Sequence, residues 1–339
     1  MIPVATSTST VPTGTPSHVP SHSTTGLGIK DKIRLAGPPA VLVVLIALVA
    51  VTEPNFLSVN ALSVVSAQAV PILLLGLGQM FVILTGGIDL SVAALASLAT
   101  VVLASTIGAF GPAAMLTTLV AFAAIGAVTG ALVVFGQVPS FVVSLGALGF
   151  WGAVAMAVSG STTIYISAGY DSIFWLSSWT ILGLPLAVWI TVAIVAAIFL
   201  IMRFSSRGNI FHVVGFGEKA ALMSGVRTRF VRIAAFSLSG VFAALAGIVL
   251  SSQQQSAAPQ LADSLLLPAI AAVLVGGCAI TGGIGGAWRV LVGALIVTVL
   301  RVGGSVAGID PSYQQIVYGA VVVVAVVLTL DRSKLSIIK

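Results

Sequence analysis

Asp89 carries the greatest chemical potential in this chain. It lies near the end of Gly76–Ser91, GLGQMFVILTGGIDLS, where two glycines stop one apolar run and a carboxylate and a hydroxyl open the next. A short acidic or hydroxyl side chain at such a break is suited to capping the incoming helix. It is also the chain's one candidate acid within the apolar body. A second glycine-rich break, Gly276–Gly286 (GGCAITGGIGG), also lies between apolar runs.

Other chemistries find little support. His18 and His22 fall in the polar N-terminal stretch and His212 in a basic loop, so no histidine is available within an apolar run as base or metal ligand. No metal site is expected. The lone Cys278 excludes an internal disulfide and argues against a cysteine-based metal site. Gly215-Phe-Gly217 resembles the start of a dinucleotide fingerprint, but no strand precedes it and position 220 is Ala. No lysine follows a glycine, so the lysine-bearing phosphate loop of nucleotide hydrolases is absent. The chain is therefore not expected to be an enzyme. Ion coupling would need more intramembrane ionisable groups than Asp89 alone.

The elements that hold these residues must sit in lipid. Of 339 residues, 58% are hydrophobic and 6% charged, and the mean hydropathy is +1.19. A soluble domain carries about 25% charged residues. Runs near the length needed to cross a bilayer fall at about 38–52, 61–85, 90–109, 112–135, 139–159, 184–202, 230–252, 265–281, 288–308 and 313–330. The expectation is an all-α, polytopic integral membrane bundle of about ten transmembrane helices, broken near Gly86 and Gly276. Residues 1–29, rich in Ser, Thr and Pro, read as a disordered cytoplasmic tail. Residues 30–335 form the membrane domain, with a long basic loop at 203–232.

Charge sets the orientation. With ten spans and a cytoplasmic amino end, thirteen of the fourteen basic residues face the cytoplasm, in clusters at 30–34, 203–232, 289 and 332–339. Glu53, Asp171, Asp263 and Asp310 face outward. That asymmetry follows the positive-inside rule, so both termini are expected in the cytoplasm of a cell-membrane protein. It also accounts for the basic pI without nucleic acid. Arg301 is the exception, within the ninth run, placed either to snorkel outward or to face a pathway. Gly126 with Gly130, and Gly304 with Gly308, have the four-residue spacing of close helix contacts. In the basic loop, Glu218–Ser224 reads as a short helix ended by Gly225. Being too short to stand alone, it must lean on a neighbour.

Three runs together resemble the permease subunits of bacterial ABC importers for monosaccharides of the ribose, xylose and galactose type, within the branched-chain amino acid and sugar permease superfamily. They are GQMFVILTGGIDLSV (Gly78–Val92), GFGEKAALMSGV (Gly215–Val226) and LLLPAIAAVLVGGCAITGGIGG (Leu265–Gly286), supported by PSFVVSLG (Pro139–Gly146) and YQQIVYGAVVVVAV (Tyr313–Val326). The sequence departs from the family pattern at Gly217, Leu267, Pro268, Ile284 and Arg301. The resemblance implies a dimeric permease, of two identical or two different subunits, working by ATP-driven alternating access. It implies a cytoplasmic ABC ATPase holding the ATP and Mg, an extracytoplasmic sugar-binding protein, and no cofactor in this chain. The ATPase-coupling residues are then Gly215, Gly217, Glu218, Ala221, Ser224 and Gly225. The translocation path is assigned to Gln79, Thr85, Gly86, Gly87, Asp89, Ser91, Phe141, Ser144, Gly276, Gly277, Gly282, Gly283 and Arg301. A permease for branched-chain amino acids or nucleosides, or an ATP-independent secondary transporter, stays open as an alternative.

Overall fold

The computed structural model describes residues 29–308 and 310–329. The tail reading for 1–29 lies outside these residues except for Ile29, and so does the basic cluster Arg332, Lys334 and Lys339. The chain forms thirteen α-helices among the described residues: α1 (Ile29–Thr52), α2 (Val59–Leu84), α3 (Val92–Phe110), α4 (Ala113–Gly136), α5 (Ser140–Ser159), α6 (Asp171–Ser178), α7 (Leu186–Phe204), α8 (Ser206–Phe216), α9 (Glu218–Met223), α10 (Thr228–Gln254), α11 (Leu266–Val275), α12 (Ala287–Val306) and α13 (Pro311–Thr329). The protein is an all-α, multi-pass membrane protein. Seven of the described helices, α2, α3, α4, α5, α7, α10 and α12, are long and apolar enough to cross a bilayer. The expected spans at 38–52 and 265–281 correspond to shorter apolar segments, Ala36–Thr52 and Asp263–Val275. In the second, the helix stops at Val275 because the chain turns at Gly276 and Gly277, the latter at φ +96°.

Two helices form the centre. The most apolar stretch of α2 is 89% buried, whereas that of α5 is 11% buried. α10 packs against α2, α3, α4 and α6. Glycine sets these distances, because a Cβ at several positions would enter a neighbour's backbone. On Gly240 of α10 it would lie 2.1 Å from the Phe122 carbonyl oxygen, and on Gly126 of α4 it would lie 2.2 Å from that of Phe236. Gly130 meets Ile233 in the same seam, as the spacing suggested. Gly308 does not follow that suggestion: it lies beyond the end of α12, at φ +77° with open space beside it, and serves as a turn residue.

One end of the bundle carries the basic residues of α8, α9 and the start of α10. The opposite end is closed by a small cap that hydropathy did not reveal. There α6 sits on the end of α10: Tyr170 and Ser177 hydroxyls donate to the Ser252 carbonyl at 2.7 and 3.0 Å, and the Ser252 hydroxyl donates to Ile173 O at 2.8 Å. Two short antiparallel pairings complete it, β1 (Ile164–Tyr165) with β4 (Ser256–Ala257) and β2 (Thr180–Ile181) with β3 (Leu184–Pro185).

Gly240→Leu is expected to force α4 from α10 at an overpacking cost of about 1–3 kcal/mol or more. Thermal unfolding in detergent should shift down by several degrees, while Gly319→Ala, where nothing lies within 4 Å, should leave it unmoved.

Candidate functional site

The break between α2 and α3 is a tight turn on residues 85–91. Gly86, at φ +79°, supplies a left-handed step that side-chain-bearing residues rarely take. Asp89 follows and turns inward, with 1% of its surface exposed. Its Oδ1 accepts from the Ser91 backbone N–H at 2.9 Å and from the Ser91 hydroxyl at 2.6 Å, and its Oδ2 accepts from the Ser239 hydroxyl of α10 at 2.7 Å. The Gln79 amide, oriented so that both ends find partners, donates to Asp89 O at 2.9 Å and accepts from Asp89 N at 3.3 Å. Neither Asp89 nor Ser91 caps α3 in the expected way. Ser91 occupies the cap position without a capping side-chain bond, because its hydroxyl is committed to the carboxylate. A buried carboxylate needs several donors to offset lost hydration, and these three supply them.

The same turn is tied to α5. The Ile88 N–H donates to the Ser140 hydroxyl at 3.0 Å, and the Ser144 hydroxyl donates to Ile88 O at 3.2 Å. Of the expected path residues, Gln79, Asp89, Ser91 and Ser144 thus join in one buried network within the chain. Thr85 is buried beside it, its hydroxyl donating to Val82 O at 2.8 Å. Phe141 is exposed and, with Thr85, Gly86 and Gly87, lines a cavity of about 910 Å³. Glu218, Arg227, Arg229 and Arg232 lie on the other wall of that cavity. Arg301 stands apart, near the far end of α12, where its carbonyl accepts from the Ser305 hydroxyl at 3.1 Å and from Gln314 at 3.3 Å.

The second break closes on the first. Gly283 N–H donates to Leu84 O at 3.0 Å, and a Cβ on Gly282 would lie 3.0 Å from Gly86 N. α8 is pressed onto both strands. A Cβ on its Gly215 would reach 1.9 Å from Leu84 O and 2.3 Å from Gly283 N, and His212 Nδ1 lies 2.8 Å from Gly283 O. Gly276 is equally confined, its Cβ position 2.1 Å from Arg289 O, and the Arg289 guanidinium donates to Gly277 O at 2.7 Å. Several backbone groups freed at the two helix ends thus find partners in the protein.

The expected loop at 203–232 is mostly helical, since α7 runs to Phe204 and α10 begins at Thr228, leaving α8 and α9 between them. α9 leans on its neighbours as its length requires: Ala221 is buried against Val214 and Val231. Glu218 pairs with Arg232 at 2.8 Å and accepts from the Thr228 hydroxyl at 3.3 Å, linking α9 to α10. With side chains 40% and 34% exposed, that ion pair contributes at most about 1 kcal/mol. α9 ends in a left-handed cap, with Gly225 at φ +80° and the Val226 N–H donating to Ala221 O at 3.0 Å. The Ser224 hydroxyl folds back onto Ala220 O at 3.0 Å. Gly217 is extended at φ 179°, a conformation open to any residue. Leu222 and Met223 project outward, Met223 with 91% exposure.

Sequence reasoning overlooked Ser140, Ser239 and His212. The first two had a partial signal, since a serine in an apolar helix must find a partner inside the protein, although its spacing does not name which one. His212 had none, because its partner is a backbone carbonyl distant in sequence.

The chain matches the family described as the branched-chain amino acid transport system / permease component over residues 61–326. It is 34% identical over 298 residues to the ribose import permease protein RbsC of Escherichia coli (strain K12), covering 85% of this chain and 91% of that one. It is 32% identical to RbsC of Bacillus subtilis (strain 168), covering 91% and 94%. The D-allose transport system permease protein AlsC of E. coli (strain K12) is 27% identical, covering 86% and 90%. No solved structure matches the chain. By motif and by these near-full-length similarities, the chain belongs to the permease family of ABC importers typified by the branched-chain amino acid transport system / permease component.

Proposed function

We propose that this chain is the membrane subunit of an ATP-binding-cassette importer that carries a monosaccharide across the cytoplasmic membrane. The observation that carries the proposal is similarity to ribose import permeases along nearly the whole chain. The chain hydrolyses nothing itself. ATP and Mg belong to a separate cytoplasmic ATPase, which docks on the α8–α9 hairpin through the exposed side chains of Leu222 and Met223. A second permease copy completes the pathway, and an extracytoplasmic binding protein delivers sugar to the end capped by α6. The chain crosses the membrane ten times with both termini in the cytoplasm, an orientation supported by the basic residues of the hairpin end. The two broken segments, at 85–91 and 276–286, form the gate region on the cytoplasmic half, and alternating access moves it when the ATPase closes.

Two experiments test this. Purified chain with its copurifying ATPase, in proteoliposomes, should accumulate radiolabelled ribose or another aldose only when ATP is supplied. Uptake that persists without ATP and without the ATPase would replace the reading with a secondary transporter. In the same preparation Met223→Asp, which places a charge on an exposed apolar contact, should cut ATPase copurification by about tenfold or more without lowering the amount of chain in the membrane.

Gly215→Ala tests the seat of the hairpin. The added methyl must displace α8 from Leu84 and Gly283, so trypsin should cleave after Lys219, Arg227 or Arg229 about tenfold faster, an increase that corresponds to about 1.4 kcal/mol of lost local stability. Unchanged cleavage would mean that α8 is not held by that junction.

A further inference from the structure

Reading the chain as the permease of an ABC importer leaves open how a push on α9 reaches the rest of the molecule, and the inference here rests on that reading. α5 is the most exposed of the long apolar helices, held by α3 and α4 along its length. Gly146, Gly149 and Gly152 face open space among the described residues, with none of them within 4 Å of where a Cβ would stand. Its only side-chain hydrogen bonds to another element, among the described residues, come from Ser140 and Ser144 in its first turns. Both go to one residue, Ile88, and Ile88 is bonded through the chain to Asp89.

We propose that the Ile88–Asp89 pair is a mechanical relay that transmits motion of the ATPase-docking hairpin to α5. Glu218 and Thr228, with Arg232, join α9 to the start of α10. From Thr228, α10 runs as unbroken helix to Ser239, roughly 16 Å along its axis. Ser239 grips the Asp89 carboxylate at 2.7 Å, and a Cβ on Gly78 of α2 would stand 3.1 Å from Ser239 Cα, so α10 is held here against both α2 and the turn and moves with them. Gln79 clamps the Asp89 backbone from both sides and Ser91 holds its other oxygen, so the turn moves as a unit. The next peptide, Ile88, passes that displacement to Ser140 and Ser144. Asp89 and Ser239 act as positioning residues in this scheme; neither needs to touch the solute.

The relay makes a prediction that a structural role alone does not. Full-length tagged chain, expressed in its own host so that its ATPase copurifies, carries Gly149→Cys as a reporter on the open side of α5, with the unsubstituted chain as background. Labelling by a maleimide is compared without nucleotide and with ATP and vanadate, alongside the rate of ATP hydrolysis. With the relay intact the labelling rate should change by at least about fivefold between the two states, and in Ser140→Ala/Ser144→Ala by less than about twofold, with hydrolysis retained. Ser239→Ala should give the same separation from the α10 side, and remains informative if the double variant fails to assemble. Ser140→Thr, which keeps the hydroxyl, should preserve the full change. A full labelling change in both Ser140→Ala/Ser144→Ala and Ser239→Ala overturns the relay while leaving the importer reading intact. If no ATPase copurifies, or if the intact chain shows no nucleotide-dependent change, the importer reading fails in the first case and the relay in both.

Discussion

A helix that ends within a packed bundle releases carbonyls and amides that must find partners in the protein, and much of this fold is arranged around two such ends. α2 stops at Leu84 and α11 at Val275. The freed Leu84 carbonyl accepts from Gly283 N–H at 3.0 Å, and Ala279 N–H donates to Ile284 O at 2.9 Å within the second break. A buried backbone group left unsatisfied costs roughly 1–3 kcal/mol, so the bond and close contacts between the two segments stabilise both. That close contact explains the glycines. Only backbone without Cβ lets three segments, 84–87, 215 and 282–283, share one small volume.

Lipid supplies no hydrophobic force between helices, so packing must come from close contact and internal hydrogen bonds. The α4–α10 seam shows the first: Gly126, Gly130 and Gly240 bring backbones within reach of one another. Serines and threonines show the second. Most bond to a carbonyl three or four residues back, as Thr118, Thr191 and Thr298 do, and so hide their hydroxyls without linking helices. Ser140, Ser144, Ser237, Ser239 and Ser252 are different, because each reaches another element. Those cross-links hold the turn and the α6 cap to their helices and, through Ser237, α10 to α4.

Much of this was legible in the residues. Among the described residues, seven of the ten apolar runs correspond to helices long enough to cross a bilayer, α2 ends two residues before Gly86 and α11 one before Gly276, and Glu218 to Gly225 announced α9 within a residue. Three features were not. The helical content of α8 was hidden because Ser206–Phe216 mixes glycine, asparagine and β-branched residues whose intrinsic helix propensity is poor; contact with Leu84 and Gly283 overrides it. The cap at α6 was hidden because 160–185 has neither the length nor the periodicity of a span. The commitment of Asp89 was hidden because a carboxylate before a helix looks like a cap from one strand of sequence alone, while its deciding partner, Ser239, lies 150 residues away.

The strengths of these links differ in a way that suits a moving part. The Glu218–Arg232 pair is partly exposed and contributes at most about 1 kcal/mol, so α9 is held to α10 chiefly by the buried contact of Ala221 with Val214 and Val231. Ser239, Ser91 and Gln79 hold Asp89 from several directions at once in a site closed to water, where each bond is electrostatically stronger and removal of one partner leaves a desolvated group behind. The weaker polar link therefore lies at the surface and the stronger network in the interior. In the proposed relay a push on α9 passes to α10 through the Ala221 contact and moves the Asp89 turn as a body, and α5 is placed to follow, since among the described residues nothing lies within 4 Å of a Cβ at Gly146, Gly149 or Gly152.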